Sequence, residues 1–237
     1  SSPVVVDGVC IVQIECQGDS FSAGLSAEDG KVLWKQDRPK QANWSSPTVV
    51  KMPSGDQAVV MQSSEDLLAV SPKTGKILWE MKLRCATIPS SLAAEGRLIV
   101  PSNGLTVFDL SSARVSPTKL WDNNKLSSNA CSPLVVGKSV YTINRTVLTS
   151  GDLFSGELKW QTRLADAKSI WSSPVVAGKN LYIFADDGKC FVVELGEDEG
   201  KVVATNELGE AVLGSPAISG DAMYVRGVSS LWKIAEK

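Results

Sequence analysis

The feature that most constrains this chain is an internal period of about 42 residues. A proline flanked by small residues recurs at Pro3, Pro47, Pro89, Pro133, Pro174 and Pro216, with spacings of 44, 42, 44, 41 and 42. A second marker recurs out of phase with it, a glycine followed four residues later by tryptophan. It reads Asp-Gly-Lys-Val-Leu-Trp ending at Trp34, Thr-Gly-Lys-Ile-Leu-Trp ending at Trp79 and Ser-Gly-Glu-Leu-Lys-Trp ending at Trp160. In the third period Pro117 replaces the glycine before Trp121, and in the fifth the tryptophan has become Ala204. Two markers sharing one period identify a repeat architecture, in which each unit buries its apolar faces against its neighbours.

Each period reads as four short strands. In the first, the β-branched run from Pro3 to Val6 meets a tight turn at Asp7-Gly8, and Val9 to Ile14 follows. Gln17-Gly18-Asp19 turns the chain into Phe21 to Leu25, and Asp29-Gly30 turns it into Val32-Leu33-Trp34. Hairpin turns need positive φ, which glycine supplies without strain. A helical period of 3.6 is nowhere sustained. The expected fold is all-β, a β-propeller of four-stranded antiparallel blades. The blades fall at about 1–36, 45–83, 87–122, 131–164, 172–208 and 214–237, the last stopping after its third strand near Ile234.

Composition excludes several classes of function. Apolar residues make up 43% and charged residues 21%, with a net charge of −2. There is no basic field for nucleic acid and no apolar run long enough for a membrane-spanning helix. The chain contains no histidine, which removes serine-hydrolase triads and histidine-based zinc or haem sites. Its five cysteines (Cys10, Cys16, Cys85, Cys131, Cys190) are scattered and read as small buried hydrophobes, with a Cys10–Cys16 disulfide across a hairpin as the alternative. Asp19, Asp186 and Asp187 lie where hairpin turns ordinarily place aspartate. Glu197-Asp198-Glu199 reads as a solvated loop.

The Gly-Lys-x-Leu-Trp ending paired with a Ser-Ser-Pro-Val-Val opening resembles the PQQ-like, or quinoprotein-like, β-propeller repeat over essentially the whole chain. The run from Ser1 to Gln13, Gly18-Asp19-Ser20-Phe21, Asn206 to Glu210, Ser215 to Ser219 and Leu231-Trp232-Lys233-Ile234 resemble the BamB-like members common in planctomycetes. The resemblance implies a periplasmic or secreted protein without an assigned reaction. It also implies a longer parent of eight blades, whose last blade an upstream segment completes; a six-blade ring is the alternative. Quinoprotein dehydrogenases of this fold hold PQQ against adjacent cysteines, with a calcium bound by Glu, Asn and Asp. Adjacent cysteines are absent here and no ligand set matches. We therefore expect no catalytic residue, no PQQ, no calcium and no other metal, because a shared fold does not carry a shared reaction.

Two groups of residues are singled out. Trp34, Trp79, Trp121 and Trp160, one per period on the outermost strand, are expected to fill the wedge between neighbouring blades. Trp44 and Trp171 are extra to that series. They stand three residues before a repeat proline, at the position otherwise occupied by Ala86, Ala130 and Leu213. These connections are expected to gather on one face, and with Arg84, Asn43 and Asn129 they form the candidate partner-binding face. Ser46, Ser132, Ser173 and Ser215 read as room-makers at a crowded axis. The function expected is a non-enzymatic binding or scaffolding module for another protein or an envelope component. The rival reading is a ligand binder or enzyme using an axial pocket for PQQ or a carbohydrate.

Overall fold

The computed structural model describes residues 1–111 and 116–235. Of the expected blades, 87–122 and 214–237 contain residues 112–115 and 236–237, which lie outside the described residues. The chain forms two compact units, Ser1–Asn124 and Lys125–Lys237. Unit 1 holds β1 (Val4–Val6), β2 (Val9–Ile14), β3 (Phe21–Ser26) and β4 (Val32–Asp37). Its second sheet comprises β5 (Thr48–Lys51), β6 (Gln57–Gln62), β7 (Asp66–Val70) and β8 (Ile77–Lys82). The third comprises β9 (Leu92–Ala94), β10 (Arg97–Ser102), β11 (Gly104–Asp109) and β12 (Thr118–Asn123). Unit 2 holds β13 (Leu134–Val136), β14 (Ser139–Asn144), β15 (Val147–Asp152) and β16 (Leu158–Arg163). Then come β17 (Val175–Ala177), β18 (Asn180–Phe184), β19 (Lys189–Leu195) and β20 (Gly200–Glu207), and finally β21 (Ala217–Ser219), β22 (Ala222–Arg226) and β23 (Leu231–Ala235).

Among the described residues there are five four-stranded sheets and one three-stranded sheet, each ordered as the chain runs. All their pairings are antiparallel, and no helix is present among the described residues. The expected all-β blade architecture is the one observed.

The inner strands of the second and fifth sheets are apolar on both sides because each of these sheets is sandwiched between two neighbours. β7 is buried at every position, and the clusters that form the core draw on successive sheets. Val50, Val60, Leu67 and Trp79 of the second sheet pack with Leu98, Val100 and Phe108 of the third. In unit 2, Tyr141, Ile143 and Trp160 pack with Leu181, Ile183 and Phe191. Fully buried short strands read as continuous apolar runs, whereas the outer strand alternates, as in β4.

The glycine and tryptophan of the second marker meet across neighbouring sheets. Trp34 and Trp160 are buried. A Cβ on Gly75 of the second sheet would run into the Trp34 ring, and one on Gly200 of the fifth would run into Trp160. At Gly75 and Gly200 the marker glycine thus receives the tryptophan of the preceding blade, while Gly30 has no side chain against it. Trp34 Nε1 donates to Pro72 O at 2.7 Å and Trp160 Nε1 to Gly196 O at 3.2 Å. Trp79 is equally buried, but its Nε1 has no hydrogen-bond partner among the described residues. It precedes the period in which Pro117 has replaced the glycine. Trp121 is half-buried, less enclosed than expected.

Each tryptophan is aimed by a β-bulge. The pairing of third and fourth strands slips by one residue directly beside Gly24↔Trp34, Ala69↔Trp79, Val107↔Trp121 and Ser150↔Trp160. The extra residue is the one before the tryptophan (Leu33, Leu78, Leu120 or Lys159). A bulge bends its strand and re-aims the next side chain, and here it leaves Leu33, Leu78 and Leu120 exposed.

The serines before the repeat prolines do more than make room. Ser2 N donates to Ser46 Oγ (2.8 Å) and Ser46 N to Ser90 Oγ (2.9 Å) in unit 1. Ser132 N donates to Ser173 Oγ (2.9 Å) and Ser173 N to Ser215 Oγ (2.8 Å) in unit 2. This ladder staples the starts of the innermost strands. It also corrects the register of the third period. Ser90 is the counterpart of Ser46, so Ser91, not Pro89, stands in the place of the repeat proline.

Candidate partner-binding face

The face of unit 1 that carries the inter-blade connections is built on a buried polar network. Arg38 lies between two carboxylates, with Nε 2.7 Å from Glu15 Oε1 and Nη2 3.0 Å from Asp66 Oδ1. The side chains of Arg38 and Glu15 are only 2% and 1% exposed, and that of Asp66 10%. Asn43 Nδ2 donates to Glu15 Oε2 (2.9 Å) and to Gln62 O (2.7 Å), and Gln13 Nε2 donates to Glu15 Oε1 (2.8 Å). Ser63 Oγ donates to Asp66 Oδ1. Gln62 Nε2 in turn donates to Ala86 O and Pro89 O, and its Oε1 accepts from Ser91 N. Buried ions are tolerated only when paired and hydrogen-bonded in this way.

Above this network lies a concavity of about 900 Å³, lined by residues 17, 40–42, 64, 84–87 and 102–103. Trp44 N donates to Thr87 O, fixing the next turn of backbone, and the Trp44 indole is 59% exposed. Arg84 is exposed on the rim. Asn43 is not on this surface: it is 5% exposed and turned inward onto Glu15. Its amide is needed to satisfy a buried carboxylate, and nothing in the local spacing signals that.

In unit 2, Trp171 is 45% exposed and Leu213, at the corresponding repeat position, is 57% exposed. Asn129 is exposed, and its Oδ1 caps the β14–β15 turn by accepting from Arg145 N at 3.1 Å. Leu213 is a surface residue that its position before Pro216 could have flagged, because an exposed leucine there matches the two exposed tryptophans.

The remaining candidates resolve into structure. All five cysteines are free. Cys10 pairs across the hairpin with Leu25, and Cys16 lies beyond the far end of the same strand, so the two cannot bridge. Burial pushes the thiols of Cys85, Cys131 and Cys190 up to about 12, so they stay protonated and inert at neutral pH. Asp187 Oδ1 accepts from Lys189 N within its own turn, whereas Asp186 Oδ1 accepts from Ser169 N and ties the turn to the preceding connection. Among the described residues, no three Cys, Asp or Glu side chains converge as metal ligands. With no adjacent cysteines in the chain either, these residues do not fit a PQQ–calcium site.

The family model for outer membrane protein assembly factor BamB matches residues 1–162 and 144–237. The chain belongs to this family. It is 26% identical over 220 residues to outer membrane protein assembly factor BamB of Shewanella oneidensis, covering 86% of this chain and 53% of that protein. The chain thus spans about half the length of this BamB relative. The crystal structure of BamB from Moraxella catarrhalis superposes with a TM-score of 0.76 at 14% identity, over 98% of this chain and 71% of that one. Quinohemoprotein alcohol dehydrogenase from Comamonas testosteroni gives a TM-score of 0.64 at 13% identity, over 96% of this chain and 45% of that enzyme. That likeness is one of fold.

Proposed function

We propose that this chain is a non-enzymatic propeller module of the bacterial cell envelope. On this reading it sits on the periplasmic or secreted side, works without PQQ or a resident metal, and holds a partner protein during outer-membrane protein assembly. The observation that carries the reading is the family match along the whole chain, to a family described as an assembly factor. The exposed Trp44 supports it in unit 1, and the exposed Trp171 and Leu213 support it in unit 2. Exposed aromatic anchors on connecting loops are the usual equipment of a protein-docking surface. In-cell cross-linking of the tagged protein, followed by mass spectrometry, tests the proposal. Components of the outer-membrane assembly machinery should be enriched over an untagged control. Enrichment of metabolic enzymes alone, or of nothing, would contradict it.

A further inference from the structure

We propose that the concavity of unit 1 binds a short, extended, carboxylate-rich segment of a partner polypeptide. The proposal rests on the docking reading above and names the chemistry of what is docked.

The charge of the lining is one-sided. Lys40 and Arg84 supply two cations, and none of the lining residues is Asp or Glu. Glu65 accepts from Gln41 at the edge of this lining and Glu15 and Asp66 lie beneath it against Arg38, so the positive character is confined to Lys40 and Arg84 at the surface. The wall also carries the amides and hydroxyls of Gln17, Gln41, Ser64 and Ser102, with two alanines and a cysteine among them, and Ser64 Oγ donates to Gln41 Oε1. They can pair with the N–H and C=O groups of an extended peptide, while Lys40 and Arg84 take its carboxylates. The net charge of −2 disfavours approach to an anionic bilayer or to nucleic acid, which need an extended basic surface. A short acidic segment needs only a local one.

The site is also held rigid from beneath. Glu15 lies two residues before Gln17, Arg38 two before Lys40, and Asp66 two after Ser64. The network joining those three ionised groups therefore ties together three walls of the concavity. Gln62 secures the fourth through Ala86 O and Pro89 O. A buried ion pair contributes little net stability over an apolar core of the same volume, and its best-attested use is to fix one geometry. Placed under a recognition surface, that fixed geometry is pre-organisation, which lowers the entropic cost of binding. Unit 2 repeats the charge pattern at the β14–β15 turn and the connection before it. There Lys125, Arg145 and Arg163 line a smaller hollow of about 400 Å³, again without a carboxylate.

The test is an amide-shift NMR titration of the protein with a peptide of alternating Glu and Ser, against its Gln/Ser counterpart. The Glu/Ser peptide should shift amides at residues 17, 40–42, 64, 84–87 and 102–103, and the Gln/Ser peptide should not. The variant Lys40→Gln/Arg84→Gln should weaken binding about tenfold or more, as expected for loss of two charge contacts. Lys51→Gln, an exposed lysine outside the concavity, should leave binding unchanged and serves as the folded control. Equal shifts from both peptides, or parent-like binding by the double variant, would overturn the proposal. So would vesicles of phosphatidylglycerol, or inorganic phosphate, if either bound at these residues more tightly than the Glu/Ser peptide. In the cross-linking experiment the double variant should recover several-fold less partner. If the parent captures partners but the acidic peptide shifts nothing, this inference falls and the docking reading stands. If the parent captures none, the docking reading itself has failed.

Discussion

The carboxylate of Glu210 gathers four donors around the turn that joins β22 to β23. Oε2 accepts from Ser229 Oγ at 2.6 Å, Ser229 N at 2.7 Å and Ser230 N at 3.3 Å, and Oε1 accepts from Trp232 Nε1 at 2.7 Å. These bonds, the Ser229 hydroxyl's first, pull its pKa from 4.5 down to about 2. A carboxylate depressed on folding stabilises the folded state above its unfolded pKa, and that contribution is lost as pH falls through the folded value. The last sheet should therefore loosen between about pH 4.5 and about pH 2. Hydrogen exchange of β22 and β23 across that range should show it, and Glu210→Gln should flatten the dependence. An unchanged pH slope in the variant would remove the pin. A second comparison isolates the indole bond. Trp34→Phe and Trp79→Phe remove the same volume from equivalent places, but only Trp34 gives up a hydrogen bond. Urea unfolding should find Trp34→Phe costlier by about 1 kcal/mol, the net worth of one buried bond. Equal costs would mean the bond to Pro72 O contributes nothing.

At the scale of elements, the strands and turns were legible because their signals are local. Asp7-Gly8, Asp29-Gly30 and the apolar runs between them fix the hairpins of the first sheet by turn chemistry and period alone. What the sequence hid lies between periods. The glycine of one repeat and the tryptophan of the one before it meet only once the sheets stack, so their co-periodicity revealed a repeat without revealing a contact. The serine ladder was missed for the same reason, and Pro89 misled because proline is a weak marker where a serine can take its place. Asn43 read as a surface residue because connections are usually exposed, yet here a buried carboxylate captures it. The edges of the sheets give a testable contrast. β19 and β23 are each the third strand of their sheet, but β19 pairs on both sides and β23 on one. Backbone groups on an open edge bond to water. Alternate amides of β23 should exchange quickly while those of β19 stay protected. Equal protection would mean that another strand covers β23.

On the scale of the whole molecule, each unit stacks its sheets into a support and leaves chemistry to the connections. The same blade architecture serves quinohemoprotein alcohol dehydrogenases, so the fold does not by itself decide between enzyme and scaffold. The proposed scaffold role draws on the site residues. Buried charge is spent on holding connections in place, and the three thiols raised to about 12 are unreactive. The exposed groups are aromatic, cationic and amide side chains suited to another polypeptide. The most direct measurement of this account is the outer-membrane proteome of cells lacking the gene, compared with the parent and with cells carrying it back. Folded β-barrel proteins should fall several-fold in the deletion and recover with the full gene. Unchanged β-barrel levels, accompanied by loss of an alcohol-oxidising activity restored by PQQ, would contradict it.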